Sequence, residues 1–102
     1  MRPASRPDYI GLVKRGPRFF YHRLWLEGRR AVYKVSALLA GRWRTILRVV
    51  MKRIVGSSDE PLFRGFHQDL CYEVYLGNRG ALLKVWRRDR LLQAVRLSAG
   101  PR

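Results

Sequence analysis

Arginine and aromatic residues are interleaved in three short segments of this chain, a pattern that could bind nucleic acid. The segments are Arg18–Arg23 (RFFYHR), Arg42–Arg44 (RWR) and Val85–Arg88 (VWRR). Guanidinium groups bind phosphates through paired hydrogen bonds, and exposed aromatic rings stack on unpaired bases. The alternative is that the tryptophans are core residues with solvated arginine neighbours. The spacing of Trp43 favours the core, and the roles of Phe19, Phe20 and His22 stay open.

The net charge points in the same direction. Twenty-two basic residues, of which 18 are arginine, face seven acidic ones, so the 102-residue chain carries +15. Such a surplus opposes compaction unless a polyanion neutralises it, and nucleic acid is the commonest polyanion. A GC-rich genome could explain the arginine excess over lysine but not the net charge. Residues 1–56 carry +12 and residues 57–102 carry +3, so we expect the first half to make most of the contact.

The candidate RNA-binding residues are basic side chains next to predicted turns, aromatics or other cations. They are Arg15, Arg18, Arg23, Arg29, Arg30, Arg42, Arg44, Arg48, Lys52, Arg53, Arg79, Arg87, Arg88 and Arg90.

Catalytic motifs are absent from the sequence. It contains no phosphate-binding G-x-x-x-x-G-K-S/T loop, no G-x-G-x-x-G and no hydrolase-type serine motif. One cysteine, Cys71, and two histidines, His22 and His67, make a cysteine/histidine zinc site improbable and exclude an internal disulfide. We therefore expect no enzymatic activity, no cofactor, no bound metal and no small-molecule substrate.

The elements that would position these cations begin with a predicted helix over residues 42–55. Its apolar residues recur at i, i+3, i+4, i+7, i+8 and i+11, beginning at Trp43, which is the spacing of one helical face. Arg44, Arg48 and Lys52 recur every four residues on another side. Gly56 would cap the helix, and a polar loop over 57–61 would follow it.

Two β-hairpins are predicted around this helix. Aromatic and β-branched residues favour strands near 19–26 and 31–37, joined by a turn at 27–30; a helix is the competing interpretation. Residues 70–76 and 81–86 form the second hairpin around the turn Gly77–Gly80, and a short helix is predicted over 90–98. The segments LEGRRAVYKV (26–35) and LGNRGALLKV (76–85) match in five of ten places. A duplicated unit would explain this match, and so would chance.

The predicted fold is therefore α+β, with two hairpins each followed by a helix (a possible ββα-ββα) and mostly α as the alternative. An extended basic arm over residues 1–17 would precede a single domain over 18–102. No apolar segment approaches the ~20 residues that a transmembrane helix needs.

These features together are typical of small ribosomal proteins, a resemblance of size and composition only. The sequence predicts a structural RNA-binding protein of a large ribonucleoprotein, a mitochondrial ribosome in the matrix above all, with rRNA and neighbouring proteins as partners. The alternatives are a supernumerary matrix-side subunit of an inner-membrane respiratory complex, a protein of another organelle, and an independent regulatory RNA-binding protein.

Overall fold

Inward- and outward-facing side chains alternate along the chain in the computed structural model, which describes residues 6–55 and 61–100. In the second strand, for example, His22 and Leu24 are buried, whereas Tyr21, Arg23 and Trp25 between and beside them are partly exposed. A period of two residues is the signature of a β-strand with one face toward a core.

Eight antiparallel strands, each paired with its neighbours in chain order, form a closed barrel. The strands are β1 (Tyr9–Arg15), β2 (Arg18–Glu27), β3 (Arg30–Leu39), β4 (Arg42–Arg53), β5 (Phe63–His67), β6 (Leu70–Gly77), β7 (Gly80–Arg87) and β8 (Arg90–Ala99). The interior of an eight-stranded barrel is just wide enough to be filled by side chains or to hold one small ligand.

The predicted α+β class is wrong, as is the mostly-α alternative, because the described residues contain eight strands and no helix. The segment 42–55 supplies β4, and 90–98 lies within β8. A bulge explains the helix-like spacing in β4: Val35 pairs with Leu47 but Ser36 pairs with Thr45, which leaves Ile46 as an extra residue. The bulge shifts the alternation by one, so apolar residues on both faces imitate a 3.6-residue period.

The predicted hairpins are present as β2–β3 and β6–β7. The prediction of a basic arm that precedes the domain needs correction. Residues 9–15 form β1, which pairs along its whole length with β2. The first five residues of that arm, the Gly56 cap and most of the predicted 57–61 loop lie outside the described residues. No helix in the described part of the chain could cross a membrane.

The barrel consists of two halves, β1–β4 and β5–β8, built on one plan. His22 pairs with Gly11 on one side and Val35 on the other; Tyr72, fifty residues later, pairs with Gly65 and Val85. The second bulge also matches, since it follows Val85 as the first follows Val35. The repeated sequence at 26–35 and 76–85 is thus a repeated structure.

Glycine lets the first strand of each half lie close to the last strand of the other half. A Cβ on Gly65 would lie 2.6 Å from the carbonyl oxygen of Val50 and 2.7 Å from Cγ of Met51. A Cβ on Gly11 would lie 2.8 Å from Cδ2 of Leu97 in the equivalent strand. Both positions therefore need a residue without a side chain.

The two halves join through short seams at one end of the barrel. β1 pairs with β8 only at Tyr9–Ala99 and Ile10–Ser98, and β4 pairs with β5 only at Lys52–Arg64 and Arg53–Phe63. We call this the closed end. At the other end, which carries the β1–β2, β3–β4, β5–β6 and β7–β8 turns, the halves diverge; we call it the open end.

The core is densest near the closed end. Its largest fully buried side chains are Leu24, Val49, Met51, Val74 and Leu83, each at or below 1 % exposure. Truncating such a residue to alanine typically costs about 2–5 kcal/mol. This packed layer fills the interior of the barrel below the open end.

Candidate functional site

Three cations lie side by side on the outer face of β2–β4. Arg23 is directly opposite Lys34, which is directly opposite Arg48; we call them the cationic row. Cβ atoms of directly opposed residues are about 5 Å apart, and like charges so placed destabilise a sheet. The row is therefore costly to the free protein, and a bound anion would relieve the repulsion.

No carboxylate of the described residues forms an ion pair with the cationic row. Aromatic rings hold the cations in place instead. The Arg23 guanidinium lies 5.4 Å from the ring centre of Tyr21 and 5.3 Å from that of Trp25, and Lys34 Nζ lies 5.3 Å from Trp25. Cation–π contacts orient a cation without cancelling its charge.

A groove with aromatic walls continues from the row toward the open end. Tyr21 and Trp43 form part of it, with ring centres 6.0 Å apart and planes inclined by 59°. Trp43 is 48 % exposed, so the prediction that it belongs to the core is wrong. The Arg23 side chain also lines the groove; its Nη2 donates to Ser36 Oγ at 2.8 Å, while its buried Nε has no hydrogen-bond partner among the described residues.

The second half has a different row at the equivalent positions. Glu73 replaces Arg23, Lys84 matches Lys34, and Ala94 replaces Arg48. Arg64 donates to Glu73 Oε2 from Nε at 3.1 Å and Nη2 at 2.8 Å, and the Tyr75 hydroxyl donates to Oε1 at 3.2 Å. The hydrogen bonds with Glu73 raise the pKa of Arg64. This half thus neutralises its central charge internally.

The structure divides the candidate RNA-binding residues among three places rather than joining them. Only Arg23 and Arg48 belong to the cationic row. The open end holds those in or beside its turns, namely Arg15, Arg18, Arg42, Arg44, Arg87, Arg88 and Arg90. The closed end holds Arg29, Arg30, Lys52, Arg53 and Arg79. Arg87 is partly neutralised, since its Nε lies 3.1 Å from Asp69 Oδ2.

Sequence reasoning included Tyr21 in the arginine–aromatic segment Arg18–Arg23 but missed Lys34 and Trp25 as parts of this face. The available signal was the alternation in β2, where every second residue from Tyr21 to Trp25 is aromatic or cationic. Lys34 became visible only through its register with Arg23 and Arg48.

A cavity of about 300 Å³ lies inside the barrel toward the open end. Its floor is Tyr33, its middle layer contains His22, Tyr72 and Gln93, and Arg15 stands at its rim. The remaining wall is apolar and comprises Val13, Phe20, Val35, Ile46, Leu47, Leu70, Val85 and Leu92.

Burial favours the uncharged forms of the polar groups at the base of the cavity. His22 Nδ1 and the Tyr33 hydroxyl form a 2.5 Å hydrogen bond, and their rings stack with centres 5.8 Å apart. Burial, assisted by the charge of Arg15, lowers the pKa of His22 to about 4. Burial raises the pKa of Tyr33 well above its usual range, and Tyr72 adds to this shift.

Residues 6–55 and 61–100 contain no group of three or more histidine, cysteine, aspartate or glutamate side chains that could hold a metal ion. Cys71 is a free thiol on the outer face of β6, and burial raises its pKa.

Comparison of the chain with protein-family models, with curated proteins and with solved structures finds no match.

Proposed function

We propose that the protein binds single-stranded RNA across the outer face of β2–β4. The observation that carries the proposal is the cationic row, in which three adjacent strands each place a cation at directly opposed positions and no carboxylate of residues 6–55 and 61–100 pairs with any of them. Directly opposed like charges destabilise a sheet, and a bound anion would relieve that repulsion.

The flanking aromatic residues support a single strand over a duplex. Trp43 and Tyr21 line a groove beside the row and present ring surface on which an unpaired base can stack. Phosphates would lie over the cations while bases enter the groove. A regular duplex keeps its bases stacked and paired, so it would leave the aromatic residues unused.

Arginine supplies most of the charge, and its planar group both binds phosphate and stacks on bases, which suits RNA. Membership of a mitochondrial ribosome, and the alternative of a respiratory-complex subunit, stay predictions of the sequence alone. The geometry supports only the proposal that the outer face of β2–β4 binds RNA.

Fluorescence anisotropy with a labelled 12-nucleotide oligouridine, titrated between 50 and 300 mM KCl, tests the proposal. We expect affinity to fall steeply with salt, by about 0.7 log units per log unit of salt for each phosphate contact. Arg48→Ala should weaken binding about fivefold and reduce this slope by about 0.7.

Arg96→Ala is the matched control, because Arg96 is an exposed arginine on the outer face of β8, the strand equivalent to β4. We expect it to change affinity by less than about twofold. Equal losses for the two variants, or binding that is indifferent to salt, would contradict the proposed face.

A further inference from the structure

We propose that the cavity at the open end binds one small amphipathic monocarboxylate, with its carboxylate facing His22, Tyr72, Gln93 and Arg15 and its apolar body against the aliphatic wall. The site lies inside the barrel, on the opposite side of the sheet from the cationic row, and is independent of the proposed RNA-binding function.

The shape of the cavity follows from how the two halves meet. Because the seams pair only at the closed end, the strands diverge around the layer formed by His22, Val35, Tyr72 and Val85. The packed core below this layer closes the base at Tyr33. The result is a chamber with one mouth rather than a channel.

Polar groups in the chamber lack partners in the protein. The Tyr72 hydroxyl forms no hydrogen bond with the described residues, and neither does Nε2 of His22, although both residues are only 4 % exposed and line the cavity. The partly exposed Gln93 also lines the cavity. A few convergent polar groups in a mostly apolar pocket are typical of a ligand site, so this layer is suited to a polar ligand group.

The chemistry of these groups selects an acceptor with negative charge. When the Tyr33 hydroxyl donates to Nδ1 of His22, the imidazole keeps its proton on Nε2 and can donate into the chamber. The hydroxyl of Tyr72, the amide nitrogen of Gln93 and the guanidinium of Arg15 are further donors. Among the residues that the structure describes, no carboxylate lines the chamber, so none of them competes for Arg15 there.

The volume limits the ligand to a small one. About 300 Å³ lies at the lower end of the range for small-molecule sites. If each methylene occupies about the volume of a water molecule, roughly 30 Å³, the chamber holds an apolar body of about ten carbons. The aliphatic wall, with Phe20 at the rim, matches an alkyl chain of that length.

Isothermal titration calorimetry with three probes of equal chain length tests the charge preference. Decanoate, decanol and decylamine carry an anionic, a neutral and a cationic head group. We expect one-to-one binding of decanoate, at least tenfold weaker binding of decanol and no binding of decylamine. Equal affinity for decanoate and decylamine, or several decanoates per chain, would overturn the proposal.

Two variants test whether the ligand binds inside the barrel. Tyr72→Phe removes only an unpartnered hydroxyl, and we expect it to weaken decanoate binding about threefold to tenfold while leaving the fold intact. Val85→Phe should fill the chamber and abolish binding.

Arg48→Ala serves as the surface control and should leave decanoate binding unchanged. Nuclear Overhauser effects from the decanoate chain to the His22 ring and the Val85 methyl groups locate the ligand in the wild-type protein, so the test does not depend on whether Val85→Phe folds. Effects to outer-face residues alone, or binding that Tyr72→Phe does not change, would refute an interior site.

Discussion

The outer face of β2–β4 carries three cations in a row, whereas the equivalent row of β6–β8 carries an acid, a cation and an alanine. The backbone plan is the same in both halves, down to the position of the bulges. The difference therefore lies in the side chains and not in what the fold requires. The central row of β6–β8 contains an acid beside a cation, so the fold does not require three cations at the equivalent positions of β2–β4, and the proposed RNA binding would explain them.

The interior differs between the halves as well. His22 and Tyr72 occupy equivalent positions, and so do Leu47 and Gln93. Each half thus contributes a polar group to the layer that surrounds the chamber, but from different residue types. The shared plan forms the chamber, and these differences determine its chemistry.

The largest expected effect concerns the glycines through which the halves meet. Gly65→Ala should lower the free energy of unfolding by about 3 kcal/mol, because the added Cβ meets the backbone of Val50 and Met51. Gly11→Ala should cost only about 1 kcal/mol, since the nearest atom is the flexible end of Leu97. Urea denaturation of the two variants measures both values, and a larger loss for Gly11→Ala would show that the seams are not packed as described.

A second prediction concerns a variant in which the cationic row takes the residues of the equivalent row in the second half. The double variant Arg23→Glu/Arg48→Ala gives the first half the residues that the second half has at Glu73 and Ala94. We expect RNA affinity at 100 mM salt to fall about 30-fold to 100-fold, with a salt slope smaller by about 1.4, from the loss of two phosphate contacts. Fluorescence anisotropy measures both quantities.

Stability provides the internal control for this exchange. Removing two of three adjacent like charges should leave the free energy of unfolding unchanged or raise it by up to about 1 kcal/mol. Ala94→Arg, made in the second half, should strengthen RNA binding slightly by adding a cation to Lys84. Loss of affinity together with loss of stability would instead mean that the row is structural.

A third prediction uses the one histidine that is buried in the barrel layer. The folded-state pKa of His22 is about 4, below the unfolded value of 6.5, so the folded state binds fewer protons than the unfolded chain between these values. The resulting stability is complete above pH 6.5 and is lost as the pH falls toward 4. We expect a loss of about 2 kcal/mol from this group between pH 7 and pH 4.5.

His22→Gln keeps a hydrogen-bonding partner for Tyr33 and removes the titration. The difference in unfolding free energy between wild type and this variant should therefore shrink by about 2 kcal/mol as the pH falls from 7 to 4.5. A difference that stays constant with pH would mean that His22 titrates alike in the folded and unfolded states.

The smallest expected effects are the losses of stability when each of two ion pairs in the second half is removed. Glu73→Gln should cost about 1–2 kcal/mol, because the Glu73 side chain is only 10 % exposed and its carboxylate accepts from Arg64 and Tyr75. Asp69→Asn should cost less than about 0.5 kcal/mol, because the Asp69 and Arg87 side chains are 67 % and 57 % exposed. Thermal denaturation ranks the two, and the reverse order would contradict the assigned role of Glu73.

The two hairpins could be predicted from the sequence because strand composition and turn residues are local signals. The class of the fold could not, because the bulge at Ile46 interrupts the alternation of β4 and gives it a helical spacing. A second bulge, at Leu92, likewise gives the apolar residues of β8 the spacing of a short helix. The repeat at 26–35 and 76–85 was the one sequence feature that pointed to two equivalent halves.

The candidate site was predictable in part. The excess charge of residues 1–56 predicted which half would be cationic, and Arg23 and Arg48 were among the predicted residues. The row itself depends on cross-strand register, which brings together Arg23, Lys34 and Arg48 from three strands. The chamber depends on barrel closure, which places Tyr72 near Tyr33, with ring centres 6.1 Å apart, although 39 positions separate them in the sequence.

Backbone amide chemical shifts recorded during titration with oligouridine test the central claim most directly, because the two halves act as each other's control. The account predicts that the largest shift changes lie in β2–β4, around Arg23, Lys34, Trp43 and Arg48, with small changes in β6–β8. Changes of equal size at the equivalent positions of the two halves, or changes confined to β6–β8, would contradict it.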